Sequence, residues 1–270
     1  MNISTYEIVV ARYNESIDWL LNVNKKWKIT IYNKGQKFDK LGSIKIRNPN
    51  INIINIENKG REAETIAYHM LHRYNNYADL TVFMQAEPFT HAPEMKELLE
   101  VLANKTTLDP ATEKYIPMTT CYNTRCAIPP LDVVNKRVNR FYHIEEASVY
   151  TLNCIYYNEI GVNDIAQPFR KFYKYPINAN IIRRFFEQLW CADQCLKPRQ
   201  STILFNFSAC FALPKYSLMK YSHEFYEKLH KISYEHHRSP WILERTWLTI
   251  FDPEFDSTKI LPEYSLAGPE

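Results

Sequence analysis

The stretch TVFMQAEPFTH, Thr81 to His91, decides how this chain is read. It opens as a core strand, with Val82, Phe83 and Met84 in one apolar run. Gln85, Glu87, Thr90 and His91 then follow within seven residues, and Pro88 stops the strand among them. Pro removes a ladder donor, so the pairing ends there. A core strand that finishes in groups able to hold a metal or a sugar points to an open α/β sheet, where ligands bind at the carboxyl ends of strands.

The preceding residues fit that reading. Glu7-Ile8-Val9-Val10-Ala11 is a short apolar run and a central strand, and Ser16 to Leu21 carries Ile17, Leu20 and Leu21 on one helical face. Lys28 to Tyr32 alternates and stops at Asn33-Lys34-Gly35; Asn52 to Ile56 is a third strand. In ENKGREAETIAYHMLHRYNN the apolar groups Ala63, Ile66, Ala67, Met70, Leu71 and Tyr74 make a helical stripe. Thr81 to Met84 is the fourth strand, and Pro93 opens a helix carrying Met95, Leu98, Leu99 and Leu102. Strand–helix alternation implies a mostly parallel sheet covered by helices.

The later chain is less regular. Residues 105–177 hold many prolines and tyrosines and are expected to wall a cleft. Residues 178–191 are predicted helical, Ile203 to Ala212 a strand, and Tyr221 to Ser233 a helix capped by Ser222. Ser239-Pro240 has the form of an N-cap followed by Pro at the first helical position, starting a last helix through Phe251. Without a repeat or linker, one domain spans 1–270: a nucleotide-binding half (1–105), an acceptor-side half (106–251) and a tail (252–270).

Composition narrows the function. The net charge is +3 and the Lys and Arg residues are scattered, so duplex nucleic acid is not the expected partner. Five glycines, no two at phosphate-loop spacing, argue against a P-loop or a standard dinucleotide fold. The six cysteines form no CxxC pair and read as scattered thiols of a reducing compartment, with a Cys121–Cys126 disulfide as the alternative. The N-terminus lacks a basic, apolar leader, and no run approaches the roughly 20 apolar residues of a spanning helix. A soluble, cytoplasmic protein without a transmembrane segment is expected.

Four polar clusters sit at predicted strand ends: Arg12-Tyr13-Asn14-Glu15, Asn33-Lys34-Gly35, Asn58-Lys59-Gly60-Arg61-Glu62 and Gln85-Ala86-Glu87. Parallel strands would bring all four to one edge. Three of the clusters also have a plainer reading: an Arg12–Glu15 surface pair, a helix entry at Gly60, a solvated loop at Glu87 and His91. His69 and His72 read as structural. Glu87 alone at a strand end suffices for a hard cation that takes its other ligands from phosphates and water. In the last helix Glu244 shares a face with Trp241 and Trp247. Burial there would raise its pKa and suit it to general-base work; the alternative is a pair with a neighbouring Arg.

Four blocks, VVARYNESIDWL, NKGREAETIAYHML, TVFMQAEPFTH and ERTWLTIF, resemble a domain-of-unknown-function family with an ARYxE start, a GREAxT helix, an FxQxxPxxH strand end and a late ERxW. FSACFALPKYSLMKYSHEFYEKL is similar to the family's late Phe-Ala block and helix. The family resembles divergent GT-A glycosyltransferases, including a chlorella-virus glycosyltransferase domain. The resemblance implies a GT-A-like, Rossmann-like sheet and a transferase using a nucleotide sugar, UDP-linked by preference, with a glycan or glycoconjugate acceptor. It implies donor binding by Arg12, Tyr13, Asn14, Glu15, Lys34, Gly60, Arg61 and Gln85. Glu87, with His91 or else His236 or His237, would hold Mn2+ or Mg2+, and Glu244, set between two tryptophans, is the candidate catalytic base. Gln85-Ala86-Glu87 stands where such enzymes carry Asp-x-Asp, with one acid in place of two. The rival expectations are a metal-dependent phosphoester or sugar-nucleotide hydrolase and a non-catalytic sugar- or nucleotide-binding module.

Overall fold

A computed structural model describes residues 1–36, 47–118, 139–141, 149–156, 163–176, 179, 181–195, 202–206 and 208–254. The parallel strands are β1 (Tyr6–Arg12), β2 (Trp27–Asn33), β3 (Ile51–Asn55) and β4 (Leu80–Gln85). A 3-10 turn, Asp18–Asn22, joins β1 to β2; α1 (Arg61–His72) joins β3 to β4, and α2 (Met95–Asn104) follows β4. The six-stranded sheet has the order β3-β2-β1-β4-β9-β5, with β5 at Ile116–Pro117 and β9 at Phe211–Pro214. β9 runs antiparallel to both β4 and β5. A second, antiparallel sheet joins β6 (Asn139–Phe141), β7 (Val149–Tyr156) and β8 (Thr202–Asn206).

Alternate residues of each parallel strand enter different cores, which is why these strands read as continuous apolar runs. Ile8, Val10, Ile31, Val82 and Met84 pack on α2 through Met95, Leu98, Leu99 and Leu102. Val9, Tyr32 and Phe83 face the other way, onto Ala63, Ile66 and Met70 of α1. That side is completed by α7 (His223–Glu235) and α8 (Ser239–Phe251), which bury Tyr226, Leu229, Ile242, Leu243 and Trp247. The remaining helices are α3 (Asn163–Phe172), α4 (Ile181–Gln188), α5 (Ala192–Cys195) and α6 (Lys215–Leu218).

The β1–β2 connection crosses one face and α1 crosses the other. The strand order therefore turns back between β1 and β4, a topological switch point.

Two sequence expectations are corrected. The predicted strand Ile203 to Ala212 is two strands in different sheets, β8 and β9. Between them Ser208 takes a left-handed backbone, φ 76°, which no strand tolerates. Ser239 is not the cap of α8: the N-cap is Arg238, because a turn from His236 O to Ser239 N (2.9 Å) starts the coil one residue earlier. Ser222 does cap α7, its hydroxyl accepting from Phe225 N at 3.3 Å. His69 is fully buried, with Nδ1 3.1 Å from the Tyr32 hydroxyl, and burial pushes its pKa down to about 3. Cys191, Cys195 and Cys210 are buried thiols; Cys121, Cys126 and residues 255–270 of the expected tail lie outside the described residues. No helix among the described residues is long and apolar enough to cross a membrane.

Candidate functional site

The ends of the four parallel strands converge on one cleft. It encloses about 320 Å3 and is lined by Ala11 and Arg12 at the end of β1, Tyr13 and Glu15 after it, Lys34 after β2, Asn58, Arg61 and Glu62 after β3, and Gln85 from β4. It thus opens at the switch point between β1 and β4, where the two connections leave on opposite faces.

The wall after β1 is a loop held by its own charges. Arg12 Nε donates to Glu15 O at 2.9 Å, and its guanidinium also reaches Tyr13 O (3.1 Å) and Asn33 Oδ1. The Glu15 carboxylate accepts from the backbone N–H of Tyr13 (2.7 Å) and Asn14 (3.1 Å). Arg12 and Glu15 therefore fold the loop through main-chain groups. Tyr13 projects outward, half exposed, and Asn14 Oδ1 accepts from Gln36 N at 3.0 Å. Gly35 passes so close to Tyr13 O that a Cβ would overlap it.

Lys34 is a strut. Its Nζ donates to Lys59 O (2.7 Å) and Arg61 O and pairs with Glu64 Oε2 at 2.5 Å. Three acceptors need three N–H donors, which only the ammonium supplies, so the pair is ionised. Burial presses the lysine pKa down while Glu64 holds the charge in place. Burial also works against the Glu64 carboxylate, but His230, whose Nε2 lies 3.0 Å from Oε1, and Lys34 outweigh it and the pKa falls. This network ties β2 to α1 and α1 to α7 at the cleft floor.

At the mouth of α1 two consecutive residues, Gly60 (φ 62°) and Arg61 (φ 52°), have left-handed backbones. Strain of this kind clusters at functional sites. It turns the Arg61 side chain outward, 60% exposed, with Nε 3.7 Å from Glu62 Oε2 and the guanidinium 4.9 Å from the Trp241 ring. A side chain at Gly60 would overlap Glu64 Cβ and come 2.7 Å from Ser233 O. Gly60→Ala is therefore expected to cost about 1–3 kcal/mol, read as a lower midpoint in urea with an unchanged slope.

Glu244 is not in the cleft lining, but Arg61 and Glu62, which are, lie near enough for their charges to act on it. Its Oε1 accepts from Ser208 N at 2.6 Å, and Arg245 Nη1 lies 3.6 Å from Oε2. Since β9 runs antiparallel to β4, Ser208 lies at the same sheet edge as Gln85. Burial raises the Glu244 pKa; Arg245 and the Ser208 N–H oppose this and Glu62 adds to it. The Glu244 carboxylate is thus buried and paired with the neighbouring Arg245, the alternative the sequence offered.

Glu87 is exposed and His91 half-buried, and neither lines the cleft. Gln85 Nε2 donates to Glu87 O at 3.1 Å, so this amide shapes the loop. Asn58 and Glu62, which were not singled out from the sequence, do line the cleft. Their only signal was membership of the third strand-end cluster.

A family model described as "Protein of unknown function (DUF3431)" matches residues 8–260. The chain belongs to this family. The match spans all the cleft-forming segments, from β1 to α8. No curated protein matches the chain.

Proposed function

We propose that this member of the DUF3431 family is a GT-A-like glycosyltransferase that moves a sugar from a nucleotide sugar, UDP-linked by preference, to a glycan or other hydroxyl acceptor. The observation that carries the reading is the cleft at the β1/β4 switch point, built from all four parallel strand ends. Such clefts take nucleotides in open α/β sheets. With no glycine loop, the nucleotide must be held by side chains and ordinary backbone.

In this reading Tyr13 offers its exposed ring to the base, and Asn58 and Gln85 offer amides to the ribose or sugar. Arg61 and the N-terminus of α1 meet the diphosphate and steady the charge that grows on it as the glycosidic bond breaks. Lys34 and Arg12 hold the walls in place. Glu244 takes the proton of the acceptor hydroxyl as its oxygen attacks the anomeric carbon and the diphosphate leaves. Among the described residues no three His, Cys, Asp or Glu side chains meet to hold a metal. The Glu87 and His91 pair does not make a cage, and no step is derived through a cation. Mn2+ or Mg2+ would come with the donor, bound by phosphate oxygens and water.

A thermal-shift panel of nucleotide sugars and free nucleotides, with and without Mn2+, tests the reading. A donor at 100 times its Kd is expected to stabilise the fold by about 2.7 kcal/mol. A shift for one nucleotide class names the base, and a shift that needs Mn2+ brings the cation into the site. No shift with any nucleotide overturns the transferase reading.

A further inference from the structure

We propose that Arg238 and Trp241, beside Arg61 on the rim of the cleft, form a second binding site for an acidic oxygen group, phosphate or carboxylate, carried by the acceptor sugar. Both guanidinium groups lie against one indole: Arg61 Cζ is 4.9 Å and Arg238 Cζ 5.2 Å from the Trp241 ring. They come from different elements. Arg61 opens α1 and lines the cleft; Arg238 caps α8. The indole so links the cleft to the start of α8.

Arg238 lacks a counter-charge. Among the described residues its guanidinium makes no ion pair and no hydrogen bond, and its Nε is buried without a partner. A buried donor left unsatisfied is costly, and native structures satisfy nearly all of them. The surroundings do not neutralise it. His236 and His237 precede it, and Arg238 N donates to His236 Nδ1 at 3.2 Å. The positive end of the α8 dipole lies at the same point. Two cations against one indole, one of them without a counter-charge, favour a planar or tetrahedral oxyanion as ligand. The guanidinium fork matches that shape with two parallel hydrogen bonds.

A sugar is the favoured carrier because the half-buried indole adds apolar surface beside the charge. It is the acceptor because Trp241 and Glu244 are three residues apart on α8 and share a face, so a sugar held beside Trp241 lies near the proposed base. That last step rests on the transferase reading; the anion site does not.

The test titrates the full chain with glucose 6-phosphate, glucuronate and glucose by calorimetry, in wild type, Arg238→Gln and Arg238→Lys. Wild type is expected to bind an acidic probe and not glucose, and the preferred acid tells phosphate from carboxylate. Arg238→Gln is expected to weaken that binding about tenfold or more. Arg238→Lys keeps the charge, loses the fork and falls between. Circular dichroism and unliganded melting check that each variant folds, and the Lys variant carries the test where the Gln variant does not. Equal binding of glucose, no binding of either acid, or unchanged affinity in both variants overturns the site. Acid binding in a wild type that shows no nucleotide-dependent shift keeps the anion site and removes its assignment to an acceptor.

Discussion

Glu244→Gln is expected to lower sugar transfer by at least about 100-fold while the chain stays folded. The amide keeps the shape and still accepts from Ser208 N, the 2.6 Å bond that fixes the side chain. What it loses is the second oxygen's ability to take a proton. The pH profile separates this role from a structural one. Burial lifts the Glu244 pKa, so the wild-type rate should fall on acidification at a higher pH than an ordinary glutamate would dictate. The variant should show no such limb. Stability moves the other way. A carboxyl whose folded pKa lies above its unfolded value binds its proton more tightly when folded. Its contribution is fully present below the unfolded pKa and is lost as pH rises through the folded one. Near neutral pH the charged form is thus a burden, and the neutral amide is expected to melt no lower than wild type. Rates of donor turnover with a glycan acceptor, set beside melting curves, decide the matter. A folded variant with full rate would clear Glu244 of the chemistry and pass the role to Glu62, the carboxylate that lines the cleft.

The parallel half of the fold was legible because it is locally consistent. β1, β2, β3 and β4 are apolar runs between turn residues, α1 has a clear stripe, and Ser222 caps α7 as its type suggests. The convergence of strand ends then follows from parallel pairing alone. The second half resisted for physical reasons. Ile203 to Ala212 is one apolar stretch by hydropathy, and the break at Ser208 comes from a bond to Glu244, 36 residues away. The antiparallel insertion of β9 beside β4 is a tertiary event with no local signal. At the site, Lys34 was named but its role was not: one cannot see from spacing that its partner is Glu64, 30 residues on (64 − 34). Asn58 and Glu62 looked like any polar helix entry. Arg238 was hidden by Ser239-Pro240, which mimics a cap; only the coordinates show the cap one residue earlier and the guanidinium without a partner.

Glu64→Gln is expected to cost about 3–5 kcal/mol, the largest loss of stability among single changes around the cleft. Both ends of the Lys34–Glu64 pair are nearly inaccessible, at 4% and 1% side-chain exposure, so solvent cannot take over from a lost partner. The amide leaves the Lys34 ammonium buried against two carbonyls and removes the anion from His230. For a chain of this size the melting temperature should drop by roughly 10 °C. The acid side carries a second signature. His230 and Lys34 hold the Glu64 pKa below its ordinary value against the pull of burial. A depressed carboxylate contributes stability that is present above its unfolded pKa and lost as pH falls through the folded one. Wild type should lose that increment in acid, and the variant, lacking it, should show a flatter acid limb. Replacing both partners by apolar groups, Lys34→Met with Glu64→Leu, should cost less than the sum of the two single changes, because no charge is then left stranded. The cleft reports the same event, since Lys34 ties the backbone of Lys59 and Arg61 to β2: nucleotide affinity should fall in Glu64→Gln even at temperatures where it is fully folded. Unfolding free energies from urea within about 1 kcal/mol of wild type would show instead that the ion pair is dispensable and that apolar packing alone sets the position of α1.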